Sequence, residues 1–300
     1  DVYIGNVVSE LINLSMSALL DDGDEVLVPS PDYPLWTACV TLAGGKAVHY
    51  ICDEQSEWYP DIEDIKKKIT PKTRAIVLIN PNNPTGAVYS VENITALCNM
   101  LHRCEEKYGH PIYLISDEPY RELVFDGVPV PYLMNYYKNT LVCYSFSKSL
   151  SIPGERLGYV AVNPKCVDAL SIVPMCCQIS RGTGHNCPAS IIQLAAAKVI
   201  DMTSDLSVYE TNMNILYKEL TDLGFECVKP GGTFYIFPKA LEADAKAFSE
   251  KAKKYDLMLV PSDSFGCEGY FRMAYCIDTE KVIRSLDALR KFVAAEYPNR

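Results

Sequence analysis

SFSKSLSIPGERLGY, residues 145–159, is the stretch on which the reading of the whole chain turns. The apolar run TLVCYSF (140–146) delivers a lysine, Lys148, into a segment of small hydroxyl residues, and Arg156 follows eight positions later. A lysine at the end of a buried strand loses its proton more readily than a solvated one, because desolvation and a nearby cation both disfavour the ammonium. The neutral amine is the form that attacks an aldehyde to make an imine. Arg156 offers a planar fork suited to a pair of phosphate oxygens, and Ser145 and Ser147 add hydroxyl donors for the same group.

Outward from this stretch, short apolar runs alternate with helical periodicity. EVLVP (25–29), KAVHYI (46–51), RAIVLIN (74–80), IYLISD (112–117), TLVCYSF and LGYVAV (157–162) read as strands. Helical stretches are expected near 8–20, 33–43, 61–68, 91–107 and 164–178. Strands that are apolar throughout and separated by helices predict a mostly parallel sheet covered on both faces. In such sheets ligands sit at the carboxyl ends of the strands, and the polar segments NPNNPTG (80–86), DEPY (117–120) and SFSKS (145–149) fall there. The character changes near residue 203. Helices at 188–202 and 205–222, strands at 225–228 and 233–237, a helix at 242–254, strands at 257–260 and 270–275 and a helix at 279–295 predict an α+β unit. The expected fold is therefore α/β: a three-layer α/β/α large domain over 1–203 and a smaller α+β C-terminal domain over 204–300. GGTFYIFP (231–238) reads as a turn into the second sheet.

Composition narrows the function. The 300 residues carry a formal charge of −10, with 22% charged and 48% apolar side chains. No basic stripe stands out, which argues against a nucleic-acid partner. Lys66, Lys67 and Lys68 sit beside Glu63 and Asp64 as a solvated helix face. Twelve cysteines form no C-x-x-C pair and are expected as reduced thiols in a cytoplasmic protein. His49, His102, His110 and His185 match no ligand spacing, so no metal is expected, and no apolar run is long enough to span a bilayer. The chain opens without a methionine, in what reads as a strand entering a helix, so a further N-terminal segment is expected to precede it.

The motifs, taken in order, resemble those of the fold-type I, class I and II aminotransferases that depend on pyridoxal 5′-phosphate. SFSKSLSIPGERLGY is similar to the family's cofactor-lysine signature, NPNNPTG to its N-P-x-x-P-T-G loop and SDEPY (116–120) to its D-x-x-Y element. PDYPLW (31–36) resembles the segment with the ring-stacking aromatic, and GYFRMAY (269–275) the strand whose arginine grips the substrate carboxylate. The resemblance implies that Lys148 holds the cofactor as a Schiff base and that Asp117 pairs with its ring nitrogen. It implies that Asn83 and Tyr120 bond the ring's phenolic oxygen, and that Tyr33 stacks on the ring. The phosphate would lie on Val8, Ser9, Ser145, Ser147 and Arg156, and Arg272, with Asn83, would bind the substrate. Lys148, Asp117 and Tyr120 are the catalytic candidates. A helix N-terminus at Val8 and Ser9 suits an anion in any case.

Residues 1–90 resemble bacterial alanine aminotransferases and 111–300 bacterial enzymes of the aspartate type. The implied activity moves an α-amino group between an L-amino acid and a 2-oxo acid, in a homodimer. Arg181 is the candidate for a distal substrate carboxylate. At Val7 the alanine-type enzymes usually carry glycine, and a β-branched residue is disfavoured at the positive φ that glycine tolerates. Ser145-x-x-Lys148 is shared with penicillin-recognising enzymes, but their S-D-N and K-T-G companions are absent. Two other readings keep the fold: a carbon–sulfur lyase using the same cofactor, and the ligand-sensing domain of a transcription regulator.

Overall fold

The computed structural model describes residues 1–298. Its larger sheet has seven strands in the order β1-β7-β6-β5-β4-β2-β3: β1 (Val2–Gly5), β2 (Glu25–Ser30), β3 (Lys46–Ile51), β4 (Thr73–Ile79), β5 (Tyr113–Asp117), β6 (Thr140–Ser145) and β7 (Gly158–Val162). Strands β2 to β6 pair in parallel, while β7 runs antiparallel to both β6 and β1. The central strands carry consecutive apolar residues because each face meets its own helical layer. Ala75, Val77 and Ile79 point into one core and Ile76 and Leu78 into the other, and Ile115 and Leu114 of β5 divide the same way. The first layer contains α1 (Val7–Leu19), α2 (Leu35–Leu42) and α6 (Ala169–Gly182). The second contains α3 (Ile62–Lys68) and α4 (Val91–Tyr108). The ends of α4 obey the usual capping chemistry: Ser90 Oγ accepts from Asn93 N at 3.2 Å, and Gly109 closes the helix at φ +73°.

A one-turn helix, α5 (Phe146–Ser149), follows β6, and α7 (Ser190–Ala196) and α8 (Ser207–Asp222) lead to the second sheet. That sheet holds β8 (Tyr235–Ile236), β9 (Val260–Pro261) and β10 (Phe271–Ala274) in the antiparallel order β8-β10-β9. With α9 (Ala245–Lys253) and α10 (Thr279–Glu296) it encloses a separate aromatic core around Phe225, Phe248, Phe271 and Phe292.

Three expected elements are corrected. The helix placed at 164–178 starts at Ala169, because Asn163 and Pro164 form a turn and Asp168 takes φ +61° before the helix can begin. It then runs through Pro174 to Gly182. The helix placed at 188–202 is confined to Ser190–Ala196, and beyond it Lys198, Val199 and Met202 bond three residues back. Only Ala196 of this helix is buried, so no core face sustains a longer one. No strand forms at 225–228. Gly224 turns the chain at φ +83°, Phe225 drops into the core, and Glu226 O accepts from Lys239 N at 2.9 Å.

The twelve cysteines are unpaired. Lys68 pairs with Asp64 at 2.7 Å along the exposed face of α3. Among the described residues no helix is long and apolar enough to cross a membrane and no metal-ligand cluster forms.

Candidate active site

The carboxyl ends of β4, β5 and β6 and the turn from β1 into α1 open onto one cavity of about 330 Å³. Val7, Val8, Ser9, Tyr33, Asn83, Asp117, Tyr120, Ser145, Ser147, Lys148, Arg156 and Arg272 all line it. Eleven of the twelve residues singled out as site candidates are thus brought together from six separate segments. Arg181 is not: it is exposed on the last turn of α6 and does not reach the cavity.

The loop after β4 is stiffened by its own asparagines. Asn80 Oδ1 accepts from Tyr89 N at 3.0 Å, and Asn82 Oδ1 accepts the Thr85 hydroxyl at 2.7 Å. With those two committed to the loop, Asn83 faces the cavity and takes the Arg272 Nη1–H at 2.9 Å. Arg272 arrives from β10, its guanidinium 4.2 Å from the Tyr235 ring centre and 4.8 Å from that of Phe265. The stacked aromatic rings fix the plane of the fork, and Nε has no hydrogen-bond partner among the described residues.

Asp117 ends β5 in full burial. Its Oδ2 accepts the Trp36 indole N–H at 2.9 Å, while Oδ1 has no partner among the described residues. Burial pushes this carboxyl up to about 7, the indole bond opposing it and the neighbouring Glu118 adding to it. Lys148 moves the opposite way. Burial lowers its ammonium pKa, Cys276 opposes that in part, and the Arg156 and Arg272 cations each add a smaller lowering. Its Nζ lies 5.2 Å from the centre of the Phe234 ring.

At the other end of the cavity Ser145 Oγ donates to Ser147 Oγ at 2.7 Å and accepts from Ser147 N at 3.1 Å. Arg156, held at φ +55°, donates to Pro153 O at 2.8 Å. Opposite them α1 begins, and its first N–H groups have no acceptor within the helix. Val7, the first residue of that helix, adopts φ +63°. The turn thus takes the left-handed conformation in spite of a branched side chain. Tyr33 is half-buried, its phenol pushed up by burial and by the Asp117 carboxylate.

Two residues of the site escaped the sequence reading. Tyr235, in the stretch read only as a turn, lines the cavity and accepts the Tyr120 hydroxyl at 3.3 Å. Gly231 and Gly232 do form a turn, bonding Gly86 O at 2.9 and 3.0 Å, and this clamp onto the NPNNPTG loop carries Tyr235 into place. Trp36 lies within PDYPLW, yet its bond to Asp117 spans 81 positions and has no local signature.

Comparison with known proteins agrees along the chain. The model of the family described as aminotransferase class I and II matches residues 1–289. A glutamate-pyruvate aminotransferase AlaA of Haemophilus influenzae is 35% identical over 98% of this chain, and the chain spans 75% of its length. The protein of that name from Escherichia coli K12 is 41% identical over 83% of this chain, which covers 61% of it. The crystal structure of an aminotransferase from Eubacterium rectale superposes with a TM-score of 0.95 at 39% identity, over all of this chain and 75% of that one.

Proposed function

Since the chain belongs to the class I and II aminotransferases, which are pyridoxal-phosphate-dependent transaminases, we propose that it carries the catalytic centre of an enzyme exchanging amino groups between glutamate and pyruvate. The observation that carries the site assignment is Asp117. A fully buried carboxylate with one oxygen unpartnered calls for a cation beside it, and the protonated nitrogen of a pyridine ring supplies one. The rest of the cavity lining fits the remainder of that cofactor: Arg156, Ser145, Ser147 and the N–H groups at Val8 and Ser9 for the phosphate, Tyr33 for a ring face, and Asn83 and Tyr120 for the phenolic oxygen.

When bound, pyridoxal phosphate supplies the aldehyde carbon that accepts the amino group and the ring that draws electrons from the substrate Cα. The chain's own groups do the rest. Arg272 binds the α-carboxylate as a fork and, with Asn83, fixes which bond at Cα faces the lysine. Lys148, whose ammonium form burial disfavours, takes the proton from Cα and returns it, as a general base and then a general acid. Asp117 holds the positive charge at the ring nitrogen. The glutamate–pyruvate pair is supported by the glutamate-pyruvate aminotransferase of Haemophilus influenzae, which aligns over both halves of the chain. We assign residues 1–203 to the cofactor-binding domain and 204–300 to the small domain, and read the enzyme as a cytoplasmic homodimer with no nucleic-acid partner.

The test is a half-reaction. Protein loaded with pyridoxal phosphate is mixed with alanine, glutamate or aspartate, and the cofactor's long-wavelength absorbance is followed. Alanine and glutamate should convert it at least tenfold faster than aspartate, and Lys148→Ala should abolish conversion while its far-ultraviolet dichroism matches the parent. Retained turnover in Lys148→Ala would remove the lysine from its role. Pyruvate released from cysteine with no 2-oxo acid present would instead indicate a lyase.

A further inference from the structure

Glu10, in the first turn of α1, is nine-tenths buried and is absent from the lining of the cavity although Val7, Val8 and Ser9 all line it. Its Oε2 accepts the Asn6 backbone N–H and, at 2.9 Å, the Asn6 side-chain amide. Its Oε1 accepts the Ser180 hydroxyl at 3.1 Å and the His185 Nδ1–H at 3.1 Å. Four donors converge on a carboxylate that faces away from the cavity. We propose that Glu10 is the positioning residue of the anion cradle, the side chain that sets the β1–α1 turn so that the N–H groups of α1 point at the cofactor phosphate. The inference rests on the cofactor assignment above.

The physical case begins with a conflict. An acid placed beside an anion site should weaken that site, unless its charge is spent elsewhere and its position shapes the donors. Glu10 meets both conditions. It takes the N–H of Asn6, two residues before Val8 and four before itself, one residue wider than the reciprocal arm of a capping box, and leaves the N–H groups of Val8 and Ser9 to the ligand. Val7 at φ +63° is a conformation that a valine adopts only when its surroundings impose it. The bond from Asn6 N fixes the turn from one side, and Gly158 of β7 fixes it from the other. A Cβ at position 158 would run into the Tyr144 carbonyl oxygen and come within 3.2 Å of Val7 Cα. Ser180 and His185 anchor the carboxylate to α6 and to the segment that follows it, so the cradle is tied to the first helical layer.

The experiment measures phosphate recognition and needs no turnover. The full chain, stripped of cofactor, is titrated with pyridoxal phosphate, with pyridoxal, and with inorganic phosphate as a competitor of the first. Glu10→Ala should weaken pyridoxal phosphate and inorganic phosphate by roughly tenfold, the scale of a lost capping bond, and leave pyridoxal within about twofold of the parent. Glu10→Gln retains an acceptor for Asn6 N–H, while its amide N–H groups can be accepted by a rotated Ser180 hydroxyl and by His185 Nδ1 in its other tautomer, and it should restore most of the phosphate preference. The proposal is overturned if Glu10→Ala keeps the parent's preference for pyridoxal phosphate over pyridoxal, or if both variants weaken the two ligands equally, which marks a merely structural role. A parent chain that shows no preference for the phosphorylated ligand overturns the cofactor assignment and the proposal together.

Discussion

Asp117 changes character when the chain folds. Its carboxyl ionises near 3.8 in a solvated chain and at about 7 in the folded one, chiefly through burial. Below about pH 4 both states hold the proton, and the group's contribution to stability is fully present. As the pH rises through 7 the unfolded chain has released that proton while the folded one must ionise a buried group, so stability falls across the window by an amount on the order of a few kcal/mol. The unloaded protein should therefore melt at a lower temperature at pH 8 than at pH 5. Asp117→Asn should flatten that slope, since an amide keeps an acceptor for Trp36 and brings no charge. Thermal melts of parent and variant from pH 4 to 8 check this, and an unchanged slope in the variant would assign the dependence to another group. Loading should reverse the effect in the parent alone, because a cation beside Oδ1 favours the ionised form.

At the scale of the element, the turn between β1 and α1 is where local preference and global geometry disagree. Valine in the left-handed region costs roughly 1–2 kcal/mol, and Val7 is also buried, so its side chain repays part of that cost. Truncation separates the two contributions. Val7→Ala and Val7→Gly both lose the buried methyl groups, but glycine alone relieves the backbone. Val7→Gly should be the more stable of the pair by about 1 kcal/mol, the reverse of the order expected inside a helix, as read from urea unfolding midpoints. The larger sheet was legible in the sequence because its central strands carry runs of consecutive apolar residues, such as Ala75–Ile79 and Tyr113–Ile115, a pattern that burial on both faces explains. The smaller sheet was legible only in outline. Its strands are two to four residues long, too short for any period to declare itself, and the apolar residues at 225–228 pack as a loop. Helix ends went astray where the signal is a backbone conformation, as at Asp168.

Across the whole molecule, the cavity is closed by a bond between parts that are remote in sequence. Asn83 and Arg272 lie 189 positions apart, one on the loop that follows β4 of the larger sheet and one on β10 of the smaller. Arg272→Lys keeps the charge and loses the fork and the stacking on Tyr235. It should raise KM for the amino donor by more than about tenfold while leaving the affinity for pyridoxal phosphate unchanged, as steady-state kinetics and cofactor titration would record. Equal losses in both would instead make Arg272 a structural brace. This distance also explains what the sequence disclosed of the site. Residues carried by compact motifs, such as Lys148, Asp117 and Asn83, could be named from their neighbours in the chain. Tyr235 and Trp36 act through partners 115 and 81 positions away, and Glu10 through Ser180 and His185, so nothing adjacent in the chain announces them.

The chain contains two tryptophans, and they sit at informative places. The indole of Trp36 is bonded to the carboxylate under the cavity. That of Trp58 packs edge-on against Phe237 at 5.3 Å and Tyr270 at 5.0 Å, where the C-terminal third rests on the sheet. The protein thus carries two native fluorophores. One is placed to sense the charge state at the floor of the cavity and the other the seating of the smaller sheet, so occupancy and docking can be followed by emission with no label attached.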